Sequence, residues 1–206
     1  MNPNLARCCL AEVIGTYLLV LFGTGAVAAA VLTEAQVGLW QVAVIWGFGI
    51  TMAIYVTAAV SGAHLNPAVS LAFAIFRRRQ FPYPRLLPYC GAQLVGAMLA
   101  GLTVLWLFGP FIARFEAERG LVRGQPGSEL SAMVFGEYFP NPAIFGTDAS
   151  AQSLISPLRA AVVEAFGTAI LLLVIFALVD RRNASLPTKY LSPFFIGFTV
   201  AVLISL

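Results

Sequence analysis

The stretch Ser61-Gly62-Ala63-His64-Leu65-Asn66-Pro67-Ala68 carries the residues best placed to do chemistry, and that chemistry is hydrogen bonding rather than covalent catalysis. Proline suits the first turn of a helix because it has no N–H to leave unpaired, and asparagine is a preferred cap. A helix opening at Pro67 would present bare N–H groups and a positive dipole end, with the Asn66 amide beside them. The residues before Asn66 read as extended chain whose carbonyls face a cavity. Glu12 and Glu164 stand within apolar runs. Ionised, each carboxylate can accept several backbone N–H bonds. A proton relay and an acidic contact with another chain stay open as alternatives for these two acids. His64 is the only histidine, and it reads as a packing residue rather than a ligand. Cys8, Cys9 and Cys90 lack metal-ligand spacing. No P-loop and no nucleophile–base pair is present, so neither an enzyme nor a cofactor nor a metal is expected.

The elements that position this stretch follow from composition. Of 206 residues, 60% are hydrophobic and only 10% are charged, whereas soluble domains carry about 25% charged residues. Disordered chains, disulfide scaffolds and water-soluble enzymes are excluded, and an all-α polytopic membrane protein is expected. The net charge of +3 comes from basic residues in short loops, which reads as topology and not as a nucleic-acid surface. About 20 apolar residues cross a hydrocarbon core about 30 Å thick. Five segments qualify: 10–32, 39–60, 87–108, 158–179 and 190–206. The first is too long for the core of a cleavable signal peptide. The piece 67–76, ending at Arg77-Arg78-Arg79, is too short to cross.

Arg7, the arginines at 77, 78, 79 and 85, and Arg181, Arg182 and Lys189 all mark one face, while the loop 109–157 carries an acidic excess. Basic loops face the cytoplasm, so a multi-pass protein of the cell membrane with a cytoplasmic N-terminus is expected. Spans two and three then begin and end consistently only if 61–76 dips into the bilayer from the cytoplasm and returns. Backbone at that depth survives only when buried in protein or lining a water-filled cavity. Asn183-Ala184-Ser185 matches a glycosylation sequon but falls on the cytoplasmic side and is discarded.

The chain also repeats itself. Glu12-Val-Ile-Gly15-Thr16 returns as Glu164-Ala-Phe-Gly167-Thr168, and Gly49-Ile-Thr-Met-Ala-Ile returns as Gly197-Phe-Thr-Val-Ala-Val. The second copy starts three spans after the first, so the two are inverted in the membrane, a recurrent transporter design. The expected organisation is a first repeat over 1–108, an outer loop over 109–157 and an incomplete second repeat over 158–206.

The segments AEVIGTYLLVLFGTGAV, VIWGFGITMAIYVTAAVSGAHLNPAVS and AVVEAFGTAILLLVIFALVD resemble the major intrinsic protein family, the aquaporins and glycerol facilitators. The resemblance implies an aquaporin-like inverted-repeat bundle with a re-entrant half-helix and about five of six spans present. It implies a passive channel for glycerol or small neutral solutes and water, assembled as a homotetramer in a lipid bilayer. Glu12 would brace the first loop and Glu164 the second. The carbonyls of Gly62, Ala63, His64 and Leu65 would accept along the channel, and Asn66 would donate. Trp46 would narrow the pore, and it and FGEYFPNP in the outer loop resemble the glycerol-facilitator branch. The sequence departs from the family pattern in lacking a second Asn-Pro-Ala half-helix and its arginine, since Asn141-Pro142-Ala143 leads into polar loop. An alternative follows: a truncated, non-conducting fragment, at most an assembly partner, expected to be inactive alone.

Overall fold

The computed structural model describes residues 4–180, 182, 183 and 188–206, the side chains of Thr188 and Lys189 excepted; Arg181 and the sequon's Ala184 and Ser185 lie outside the described residues. The described residues are helical, with no strand among them. The helices are α1 (Leu5–Thr33), α2 (Leu39–Ser61), α3 (Pro67–Phe76), α4 (Leu86–Arg119), α5 (Glu129–Ala132), α6 (Pro142–Phe145), α7 (Ala149–Ser153), α8 (Pro157–Leu178) and α9 (Thr188–Ile204). Four of them, α1, α2, α4 and α8, are long and apolar enough to cross a membrane. The 17 residues of α9 rise about 26 Å at about 1.5 Å each, slightly less than a hydrocarbon core.

Local chemistry sets the boundaries. The Asn4 side chain caps α1 through Ala6 N–H, and α2 stops at Gly62, whose φ of 89° is left-handed. At α3, Asn66 Oδ1 accepts from Ala68 N at 2.7 Å and from Val69 N at 3.4 Å, with Pro67 in the first turn. Ser156 and Pro157 open α8 in the same manner. The third span departs from expectation, because the helix continues through Gly109 and Pro110 to Arg119, so the outer loop begins later than 109. Charge pairing carries it on: Arg114 Nε donates to Glu118 Oε1 at 2.7 Å, and the Arg119 guanidinium lies 3.8 Å from the Phe115 ring. Gly120, at φ 62°, ends it.

Small residues let the helices close. α1 packs between α2 and α4, and α2 packs against α9. A Cβ at Gly96 of α4 would collide with the Val13 carbonyl of α1, while Gly47 of α2 and Gly197 of α9 meet backbone to backbone. Such close approach is how helices associate where lipid removes the hydrophobic drive between them. Span three carries two pairs of small residues four apart, Gly96 with Ala100 and Ala97 with Gly101; the second is not used in this way, since open space surrounds Gly101.

α1 serves as a depth gauge for the stretch before α3. The Cys8 thiol donates to the Val60 carbonyl, the Glu12 carboxylate accepts from His64 and Leu65, and Gly15 abuts the Leu65 side chain. The chain then returns: Cys8 clusters with Ala74 at the far end of α3, with Phe81, and with Tyr89 of α4. From Leu5 to Gly15 is about 15 Å at about 1.5 Å per residue, half of a core about 30 Å thick. At the other end of α1, Ala28 packs with Val104 of α4 and Val134 of the outer loop. Residues 61–76 therefore enter and leave on the side of Cys8, opposite the outer loop.

Candidate functional site

The turn is held from behind by one carboxylate. Glu12 is fully buried, and it accepts His64 N–H at 3.0 Å on Oε1, and Leu65 N–H at 2.7 Å and Gln93 Nε2 at 2.8 Å on Oε2. Ala63 N–H is taken by Ser61 Oγ at 3.0 Å, and Tyr89 donates to the Ser61 carbonyl at 2.8 Å. This anchoring forces an uncommon backbone, with Ala63 at φ 52° and Leu65 at φ 54°. Left-handed backbone costs an L-residue about 1–2 kcal/mol, and a hydrogen bond to a charged group returns about 1.5–3 kcal/mol. Two such bonds to one carboxylate therefore outweigh the strain.

The front of the turn has the opposite polarity. Among the described residues, no protein donor reaches the carbonyls of Gly62, Ala63, His64 or Leu65, and all four residues border a cavity of about 1000 Å³. Asn66, exposed, also borders it. Because Asn66 Oδ1 is occupied by the cap, its Nδ2 remains as a donor. Pro67 and Ala68 form the first turn of α3 and are not part of the lining. The facing wall is apolar: Trp46, Ile50 and Ile54 of α2, Ile175 of α8, and Ile196 and Val200 of α9. Trp46 is half-buried, its indole laid flat against Gly23 of α1, where a Cβ would overlap the ring. The arrangement offers a row of acceptors, a terminal donor and a hydrocarbon wall to an uncharged, hydroxyl-bearing molecule.

His64 is 8% exposed, its ring among Phe73, Phe81 and Tyr89 at centroid distances of 4.6, 4.5 and 5.4 Å. Nδ1 lies 3.2 Å from Ser70 Oγ, which also accepts Gln93 Nε2 at 3.0 Å. Ser70 and Gln93 belong to the site and escaped the sequence reading. The available signal was that Gln93 is the one carboxamide in 87–108, and a buried amide needs partners.

Glu164, expected to be a buried acid, is exposed, and among the described residues no backbone N–H bonds to it. The second Asn-Pro-Ala half-helix that it was expected to brace is not part of these 206 residues, and α8 packs against α9 and the end of α3. It borders the cavity with Glu137 of the outer loop. The cavity walls strip enough water from the partly open Glu137 to push its carboxyl above the ordinary range, and the nearby Glu164 adds to the effect. Asn141 caps only the four-residue α6 through Ala143 N–H, away from the cavity. At the end of the bundle near Cys8, Arg77, just past α3, pairs with Asp180, just past α8, at 3.7 Å. Hydrogen bonds from Arg182 hold the Asp180 carboxyl well below the usual range.

A helical membrane bundle with a half-helix folded inward beside a cavity is an aquaporin-like fold. The family Major intrinsic protein matches residues 1–206, and the chain belongs to that family. It is 44% identical over 205 residues to the glycerol uptake facilitator protein of Pseudomonas aeruginosa, covering 98% of this chain and 67% of that one. It is 39% identical over 203 residues to the propanediol uptake facilitator PduF of Citrobacter freundii, covering 98% and 70%. The X-ray structure of the aquaglyceroporin from Plasmodium falciparum superposes with a TM-score of 0.68 at 26% identity, over 98% of this chain and 70% of that one. The chain thus spans about two thirds of the length of these relatives.

Proposed function

We propose that the protein is a passive channel for glycerol or similar small neutral solutes and water. The observation that carries this reading is the two-faced turn: N–H groups of residues 63–65 are taken up behind it, while the carbonyls of residues 62–65 accept no protein donor among the described residues, and these residues and Asn66 border the cavity. A polyol would exchange its water hydrogen bonds for these carbonyls one hydroxyl at a time while its carbon side slides along Trp46 and the isoleucines. The positive end of α3 disfavours cations at the same point. The names of the relatives, glycerol and propanediol uptake facilitators, support a small-polyol substrate.

The proposal includes no covalent step, cofactor or nucleic acid. It places the protein in the cell membrane with the N-terminus in the cytoplasm, as the basic residues around Cys8, Arg77 and Arg85 support. It includes a homotetramer, in which exposed apolar side chains such as Trp106 of α4 and Leu173 of α8 would meet lipid or a neighbouring copy.

Stopped-flow reswelling of proteoliposomes in glycerol tests the proposal, with faster glycerol entry than protein-free vesicles as the expected result. Trp46→Ala is expected to lower discrimination between glycerol and a five-carbon polyol by about tenfold, the modest selectivity a hydrophobic wall supplies. Water passage with glycerol excluded would overturn the substrate assignment. An inserted protein that carries neither would favour the non-conducting reading.

A further inference from the structure

We infer that Gln93 and Ser70 are positioning residues that hold His64 as a neutral imidazole protonated on Nε2 alone. The direction of the hydrogen-bond chain follows from the donors around Glu12, both of whose oxygens accept backbone N–H groups, from His64 and Leu65. The Gln93 group 2.8 Å from Oε2 is the amide nitrogen: this orientation pairs both of its hydrogens and leaves only Gln93 Oε1 without a partner, whereas the reversed amide would set oxygen against the carboxylate and strand two N–H groups on that side. The second hydrogen of that nitrogen goes to Ser70 Oγ at 3.0 Å. Ser70 is fully buried, and its own hydroxyl hydrogen has one acceptor within reach among the described residues, His64 Nδ1 at 3.2 Å. Were Nδ1 protonated, it would point its hydrogen at an oxygen already receiving one, and the serine hydrogen would be left unpaired at about 1–3 kcal/mol. Nδ1 therefore accepts, and the proton sits on Nε2.

The chain runs unbroken from α1 through α4 and α3 to the turn. The same Glu12 that fixes the backbone of His64 thereby also fixes its ring. The Nε2 edge of the ring lies toward Gly62, where a Cβ would stand 3.9 Å from Nε2. The ring thus turns an N–H, with no lone pair and no positive charge, toward the carbonyl-bearing segment. This consequence deepens the channel reading and rests on it, while the proton assignment rests on geometry alone.

His64 is the only histidine, so histidine labelled with nitrogen-15 gives one unambiguous pair of ring signals in the whole protein. The expected spectrum at neutral pH shows an unprotonated Nδ1 and a protonated Nε2 as a single species. Ser70→Ala, which removes one oxygen atom, and Gln93→Met, which frees the serine hydroxyl to turn, are each expected to raise the Nδ1–H tautomer from undetected to a measurable fraction. A protonated Nδ1 in the parent protein would overturn the assignment, as would an unchanged spectrum in Ser70→Ala, which decides alone if Gln93→Met fails to fold. Glycerol flux with the wrong tautomer would sink this assignment and spare the channel; the right tautomer without flux would do the reverse.

Discussion

Glu12→Ala is expected to abolish solute flux and to lower the thermal stability of the detergent-solubilised protein sharply. The substitution strands the N–H groups of His64 and Leu65 and the Gln93 amide, all at positions where the protein excludes water. Each stranded group costs about 1–3 kcal/mol, so the sum takes a large share of the 5–15 kcal/mol that is about typical of folded chains. The strain then decides the structure that remains. Without the carboxylate, nothing offsets the left-handed Ala63 and Leu65, and the turn relaxes so that its carbonyls leave the cavity wall. Glu12→Gln keeps one acceptor oxygen but turns an amide N–H toward a backbone N–H, so an intermediate loss is expected. Glycerol reswelling and melting temperature, measured on the same preparations, check both variants. An alanine variant with parental flux and stability would contradict the anchoring role.

Gly96→Val is expected to prevent assembly of the bundle. The new Cβ would overlap the Val13 carbonyl of α1 and press on Tyr17 N at 3.1 Å and Thr16 Cβ at 3.2 Å. Two of these three atoms are helix backbone, which cannot swing aside as a side-chain tip can, so α1 and α4 must separate. That separation carries Glu12 away from Gln93 and from the turn. The expected result is loss of the monodisperse folded species on size-exclusion chromatography. Gly101→Ala is the control: nothing lies within contact of its Cβ, and alanine favours the helix by about 1 kcal/mol over glycine. Equal behaviour of the two variants would show that the α1–α4 contact is not limiting.

The contrast between Gly96 and Gly101 shows what the sequence can reveal. Both stand in small-residue pairs of the same span, and only the neighbour decides which one is a contact. The half-helix Pro67–Phe76 was legible to the residue because its signals are local: an Asn-Pro cap at one end and three arginines at the other. The re-entrant path was legible because charge placement restricts it. The end of α4 was not, because Arg114, Glu116, Glu118 and Arg119 lower the hydropathy, while Arg114 with Glu118 and Arg119 with Phe115 make contacts one turn apart along the helix. Glu12 and Glu164 share a motif and have opposite surroundings, one enclosed by three N–H donors and one exposed beside Glu137. Ser70 and Gln93 joined the site only when α3 and α4 were brought together.

Solute passage depends on the chain turning back at mid-membrane near Asn66. Sidedness labelling in a cysteine-free background tests this most directly, using Ala59→Cys before the turn, Asn66→Cys within it, Arg79→Cys after it and Phe135→Cys in the outer loop. In oriented vesicles, positions 59 and 79 should react with an impermeant maleimide from the same face and position 135 from the other. A spin label at position 66 should report mid-bilayer depth with access to water-soluble relaxants. Reaction of positions 59 and 79 from opposite faces, or a label at 66 at either membrane surface, would contradict the account.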